Sequence, residues 1–375
     1  MQNFNSGNFV NQGRHKSFIP EMINREYLID DMNTLYLLSL ADRQLGRLDM
    51  YSEYVNLDLY ISMHIAKEAT KSPRIEGTIT TVEEAFMDKN DISGEKRDDW
   101  EEVQNYIKAM NETVAALGDL PFSTRLIKMA HERLIQGVRG GHKTPGEFRR
   151  SQNWIGGATL NEAVFVPPPH TYISDLMGDL EKFANDHANL IPDLLKIALI
   201  HYQFETIHPF LDGNGRVGRL LITLYLVNKE ILKRPILYLS DYFERHRSLY
   251  YDNLTRVRTH NDINQWFRFF LTGIIETSKQ GIKVFDGVLQ LQKEIEQILK
   301  SFRYRAADAR RVIDYMYKQP VVDAAAVEKI IGKSSVSAYK LINDLESKGV
   351  ITEITGAQRN RIFAFKKYID IFIDN

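Results

Sequence analysis

The 375-residue sequence predicts a mainly α protein, interrupted once by a β-hairpin and closed by a small α+β unit. Three observations predict it. Over most of the chain apolar residues recur three and four apart, the spacing that keeps one face of a helix against a core. Between 146 and 169 that rhythm breaks into two short apolar runs around a Leu-Asn-Glu tip and ends in three prolines, the pattern of a hairpin. From Ala306 onward the order becomes helix, helix, helix and then two β-rich runs.

Taken in order, residues from Glu26 to about Lys71 carry the stripe Tyr54, Leu57, Tyr60, Ile61, His64 and Ile65. Thr80 and Thr81 each precede a glutamate by three residues, Glu83 and Glu84. These overlapping capping boxes open a helix and set 72–79 apart as a separate turn behind a Ser-Pro helix start. Residues 88–98 are polar and read as loop. A helical block runs from Trp100 to about Gly137, and after the hairpin helices are predicted over 172–187 and 193–206. A long helix from Asn214 to Lys233 stops before Pro235, because proline removes an N–H and bars helical geometry at the residue before it. Helices over 244–258 and 262–300 lead into the last segment, whose order resembles a winged helix with Val350 to Phe365 as the wing.

Composition bounds the function. An apolar fraction of 43% with 26% charged residues is that of a folded globular chain. Absence of cysteine excludes disulfides, thiolate zinc sites and a cysteine nucleophile. A net charge of −1 argues against a general polyanion binder. The first twenty residues lack an apolar signal core, and the longest apolar run, near 220–227, falls short of the roughly 18 residues a membrane span needs. A cytoplasmic protein with no membrane partner is expected.

The informative stretch is HPFLDGNGRVGR, His208 to Arg219. Pro209 pushes His208 off the end of the preceding helix. Gly213 and Gly215 permit a tight turn whose N–H groups converge at the next helix start, an anion site. Arg216 and Arg219 add two cations to a helix end that already carries about half a positive charge, so an anion is needed to balance them. Asp212 is a hard oxygen ligand suited to magnesium, and His208 is the one side chain there that exchanges a proton near neutral pH. A dinucleotide fingerprint is rejected despite Gly213, Gly215 and Gly218, because a helix and not a strand precedes it. A Walker A loop is rejected because its lysine and hydroxyl are missing.

H-P-F-x-D-G-N-G-R-x-x-R resembles the full signature of the Fic (Fic/Doc) family, and every position is filled. The FR and NWIGG segments, the PPP after the hairpin and ILYLSDYFERHRSLYYDNL are similar to the same family, and the N-terminal block and winged helix resemble its long bacterial members. The resemblance implies a Fic-type helical bundle with a β-hairpin flap, and protein adenylyltransferase activity: AMP passes from ATP to a Tyr, Thr or Ser hydroxyl of a target protein or of the chain itself. Carried over residue by residue, His208 deprotonates that hydroxyl and Asp212 holds Mg2+. Gly213, Asn214 and Gly215 cradle the phosphates, Arg216 and Arg219 grip the outer ones, and Tyr250 and Tyr251 lie near the adenine. The hairpin at 153–167 docks the target. Ser72-x-x-x-Glu76-Gly77 resembles the family's inhibitory motif, with Glu76 as the built-in anion for Arg219.

The expected organisation is an N-terminal helical region with the inhibitory motif (1–98), the Fic core (99–285), a linker helix (286–305) and the winged-helix unit (306–375). Plainer readings stand beside these: His208 as a structural residue before proline, Asp212 as a turn cap, the arginines as surface cations, Glu76 as a solvated glutamate. His131, His142, His170 and His201 lack metal-ligand spacing and read as packing or surface residues. Residues 301–375 carry a net charge of +4, which leaves the winged helix open to a DNA partner, a protein partner or a purely architectural role. Apolar helices around 30–70 could form a homodimer face. The alternatives in function are removal of AMP, transfer of another phosphate-containing group, or a nucleotide-sensing DNA-binding regulator.

Overall fold

A computed structural model describes residues 1–13, 15–54, 60–137 and 143–373. Leu57 and His142 fall outside them. The chain opens on an antiparallel pair that periodicity did not predict, β1 (Gly7–Asn11) and β2 (Lys16–Pro20), with Phe9 opposite Phe18. Gly7 sits at φ +119°, where a side chain would overlap the Ile19 carbonyl. The helical stretch that follows divides into α1 (Met32–Tyr54) and α2 (Ile61–Arg74).

The separate turn expected at 72–79 is corrected. Helix α2 runs through Ser72 and Pro73, both buried, so Ser72 lies in its last turn and not at a helix start. Glu76 N–H bonds back to Pro73 O at 2.8 Å and Gly77 N–H to Arg74 O at 3.1 Å, and Gly77 reverses the chain at φ +111°. Of the two capping boxes only Thr81 with Glu84 forms, opening α3 (Val82–Ala85). The Thr80 hydroxyl is buried without a hydrogen-bond partner among the described residues.

The block after 98 is two helices, α4 (Arg97–Ala116) and α5 (Thr124–Ile135), the second capped by Ser123. Then come α6 (Ile173–Asn185), α7 (Asp193–Ile207) and α8 (Asn214–Asn228). Every α7 residue from Leu194 to Ile207 is buried, so this helix is the axis around which the others pack. The expected helix at 244–258 is two, α9 (Ser240–Arg245) and α10 (Arg247–His260), followed by the long α11 (Ile263–Lys300) that lies along α1.

The expected hairpin at 153–167 is also corrected. It is a loop closed by one antiparallel bridge, with Ile155 N–H donating to Phe165 O (2.9 Å) and Phe165 N–H to Ile155 O (3.1 Å). Strands cannot extend from it, because Gly156 and Gly157 turn left-handed immediately after Ile155 and the prolines from 167 have no N–H to pair. Phe18 N–H of β2 reaches Val166 O at 2.9 Å, so the N-terminal pair lies against the outer side of this flap.

The C-terminal region holds α12 (Ala306–Met316), β3 (Val321–Asp323), α13 (Ala324–Ile331), α14 (Ser335–Ser347), β4 (Thr352–Glu353), β5 (Ile362–Ala364) and α15 (Lys366–Ile373). Its antiparallel sheet has the order β3-β5-β4. The short β3 and the final α15 were not foreseen. α15 packs on α2: Phe372 meets the His64 ring at 5.0 Å, Tyr60 contacts both Tyr317 and Tyr368, and Lys366 pairs with Glu83 at 2.9 Å. Among the described residues no helix is long and apolar enough to cross a membrane.

Candidate active site

His208 ends α7 in the left-handed conformation (φ 50°, ψ 60°), which turns its ring out of the buried helix and toward the chain that follows. Such backbone is strained for a side-chain-bearing residue and must be held by its surroundings. Two residues hold it. Arg149 donates from Nε to His208 O (2.9 Å), and from its other nitrogens to the Ser151, Pro168 and Ile207 carbonyls. Asn153 Nδ2 donates to Phe210 O (2.9 Å) and His208 O (3.2 Å).

The loop closes on itself through Asn214. Its Oδ1 accepts from Phe210 N–H (2.8 Å) and its Nδ2 donates to Phe210 O (2.9 Å), so the side chain is consumed in shaping the turn, leaving only the backbone to a ligand. Gly213 stands at φ 71° against Ile135 and begins α8. Asp212 Oδ1 accepts from Gly213 N–H (2.7 Å), and its other oxygen lies 3.6 Å from Lys143 Nζ. Beneath the loop His131 stacks on Phe210 at 3.7 Å and accepts from Gly146 N–H through Nδ1, which leaves Nε2–H to donate to Asp212 O (3.1 Å). Sequence reasoning gave no site role to Arg149, Asn153 and His131 because, Ser151 apart, their side-chain partners are between 15 and 81 residues away.

One carboxylate meets both motif arginines. Arg219, 2% exposed, donates from Nη2 to Glu76 Oε1 (2.8 Å) and Ser72 O (2.8 Å), and from Nε to Ser72 Oγ (2.8 Å). Arg216 Nε is 3.3 Å from Glu76 Oε2, with Glu102 and Asp212 on its other nitrogens. The approach needs Gly215, where a Cβ would come within 2.7 Å of Glu76 Oε1. Ser72 and Glu76 are four apart at the end of α2, so both face the same guanidinium.

A cavity of about 390 Å³ is lined by Glu76, the Trp154–Gly156 edge of the flap, His208, Asp212, Arg219 and Tyr251. Glu76 also lines a second cavity of about 260 Å³ with Glu102, Gln136, Asp212 and Arg216. Tyr250 is in the wall of the first, but it is buried, stacked on Phe243 and bonded through its hydroxyl to His201 Nε2 (2.9 Å). Tyr251 is the open member of the aromatic pair.

Burial first, then the cations Arg258 and Arg149, push His208 down to about 3, so its ring is neutral at rest. Burial works most strongly against the charge of Arg219, but Glu76, Tyr250 and Glu205 together outweigh it and hold that pKa above the usual value. Glu205, one turn before His208, was not singled out by the sequence; burial pushes it up to about 7 despite Arg219 nearby. Among the described residues no three His, Asp or Glu side chains cluster as metal ligands. Asp212 offers a single carboxylate at the cavity, enough for an ion that keeps its remaining positions for phosphate oxygens and water.

Comparison with known proteins points to one family. A protein adenylyltransferase Fic of Aedes aegypti is 33% identical over 185 residues, 48% of this chain and 33% of that protein. The chain thus matches about a third of the length of such relatives. A Fic family protein of Desulfovibrio desulfuricans has the same fold over 91% of this chain and 98% of its own, at a TM-score of 0.58 and 19% identity. A Fic domain-containing signaling protein of Bacteroides thetaiotaomicron aligns over 68% of this chain and 97% of its own, at a TM-score of 0.51 and 19% identity. Residues 121–226 match the Fic/DOC family and residues 35–115 its N-terminal region, so this chain carries a Fic/DOC domain preceded by the family's N-terminal region.

Proposed function

We propose that the chain is a protein adenylyltransferase held off by its own Glu76. One observation carries the reading: a single carboxylate, Glu76, lines both the cavity of His208 and Arg219 and the adjoining one of Arg216, and engages both arginines of the motif. Those two cations, with the N–H groups at the start of α8, are the groups that would bind the outer phosphates of ATP. With Glu76 in place they are spent on an internal anion, and the triphosphate cannot align for in-line attack.

In the productive state the target hydroxyl approaches from the flap. Trp154, Ile155 and Gly156 of the flap line the cavity, and an extended target segment would dock along them within 153–167. His208, neutral at rest, takes the hydroxyl proton. Asp212 would hold Mg2+, which when bound supplies charge neutralisation on the phosphates. Tyr251 is placed to stack on the base, with Tyr250 behind it. The D. desulfuricans and B. thetaiotaomicron structures support the fold and the A. aegypti relative the chemistry.

We read residues 306–375 as a winged helix with its wing at 350–365. Its fastening to α2 through α15 favours an architectural role over DNA reading, and a cytoplasmic setting and the homodimer face at 30–70 stay part of the same reading. Incubation with α-labelled ATP and magnesium tests the whole. Glu76→Gly should label itself or a protein partner strongly, wild type weakly, and the double variant with His208→Ala not at all. Label that survives His208→Ala, or no label in any form, refutes the assignment. Mass spectrometry of the product separates added AMP from any other phosphate-containing group.

A further inference from the structure

Glu205 has no part in the function described so far, yet it is built into the same wall. Its carboxylate is 6% exposed, and Oε1 has no hydrogen-bond partner among the described residues. Oε2 lies 4.0 Å from His208 Nδ1, itself buried and without a hydrogen bond of normal geometry, the Glu205 backbone carbonyl being the other acceptor beside the ring. Both residues line the cavity. The carboxylate also accounts for Gly218, which stands at a variable position between Arg216 and Arg219: it has an ordinary helical backbone, but a Cβ on it would overlap Glu205 Oε1 and press on Phe204. A buried carboxylate kept at such steric expense, with Oε1 unpartnered and Oε2 4.0 Å from a buried imidazole nitrogen, points to a pairing that tightens when the ring is charged.

We infer that Glu205 is the positioning residue of His208: it holds the ring as the Nδ1–H tautomer, presents Nε2 to the target hydroxyl, and stabilises the imidazolium formed on proton uptake. The inference rests on the transferase reading. As the hydroxyl oxygen bonds to the α-phosphorus, the bond from that phosphorus to the α–β bridging oxygen breaks and pyrophosphate leaves. The hydroxyl proton goes to Nε2, and the positive charge on the ring meets the carboxylate across Nδ1. The other charged or titratable groups facing Glu205 are Arg219 from α8, Arg258, Tyr250 and Tyr251 from α10, and Glu76 after α2. Only His208 gains charge during the step.

The test uses the full chain in the Glu76→Gly background with ATP and magnesium. Glu205→Gln, which keeps the shape, and Gly218→Ala, which displaces the carboxylate, are each expected to lower kcat by about tenfold or more with the KM for ATP unchanged. A second measurement needs no turnover. In protein labelled with ¹⁵N-histidine, the resonances missing from His208→Ala identify the ring, which is expected as the Nδ1–H tautomer and altered by Glu205→Gln. Unchanged kcat in both variants, or an unaltered His208 signal in Glu205→Gln, overturns the inference. Should Glu76→Gly transfer no AMP, the transferase reading fails and the tautomer measurement alone decides the role of Glu205.

Discussion

Glu76 Oε1 and Arg219 Nη2 lie 2.8 Å apart although 143 residues separate them in the chain. The pair forms because α2 ends beside the start of α8, and because Ser72, one turn back, gives the same guanidinium two more acceptors. An arginine 2% exposed is tolerated only with such partners. The contact proposed to inhibit is therefore also a structural one.

Glu76→Gly should lower stability modestly. Glu76 is a third exposed and Ser72 still holds the cation, so a loss of about 1–2 kcal/mol is expected, discounted from that of a fully buried pair. Because phosphates can replace the lost anion, ATP with magnesium should raise the melting temperature of the variant more than that of wild type. Equal shifts in thermal melts would argue against competition for Arg219.

Ser72→Ala removes the acceptor for Arg219 Nε but leaves the Ser72 carbonyl and Glu76. A loss of about 1 kcal/mol in urea unfolding is expected, with labelling activity above wild type and below Glu76→Gly. Activity equal to wild type would show that Ser72 does not help orient the inhibited guanidinium.

Arg149→Ala should be among the most damaging substitutions in the catalytic loop. Four carbonyls lose a charged donor at once, and His208 loses the support of its left-handed backbone, for a cost of about 3 kcal/mol or more by urea unfolding. Lysine should not rescue it, since the ammonium lacks the planar fork that reaches several acceptors. Full stability in Arg149→Lys would refute this account.

Glu68→Gln reports on a second buried acid. Burial pushes Glu68 up to about 7 from 4.5, even though it accepts from Tyr106 and Ser240. A folded pKa above the unfolded one contributes stability that is full below 4.5 and lost as pH rises through 7. The variant lacks this dependence. Its stability relative to wild type should therefore rise between those limits, by on the order of 2–3 kcal/mol. His64 and His201, pushed down to about 3 by burial, act oppositely: their contribution is full above 6.5 and falls as pH drops toward 3. Parallel pH–stability curves for wild type and Glu68→Gln would show that Glu68 is not titrating differently in the folded chain.

What the sequence determined by itself was local. Apolar spacing marked the helices, Pro209 ended α7 at His208, and Gly213 placed a turn before α8, because backbone geometry and helical periodicity are properties of neighbouring residues. The motif named the chemistry of its side chains, and a chance of local spacing even placed Ser72 and Glu76 four apart. Tertiary structure decided the rest. It carried α2 through Pro73, reduced the flap to one bridge braced by β2, and turned Asn214 inward to its own loop. It also set Arg149, Asn153 and Glu205 around His208. Asn214 and Glu205 apart, whose partners are three or four residues away, those outcomes depend on hydrogen-bond partners and on burial supplied by distant segments, and a buried polar group is satisfied by whatever the fold brings to it, which no sequence spacing records.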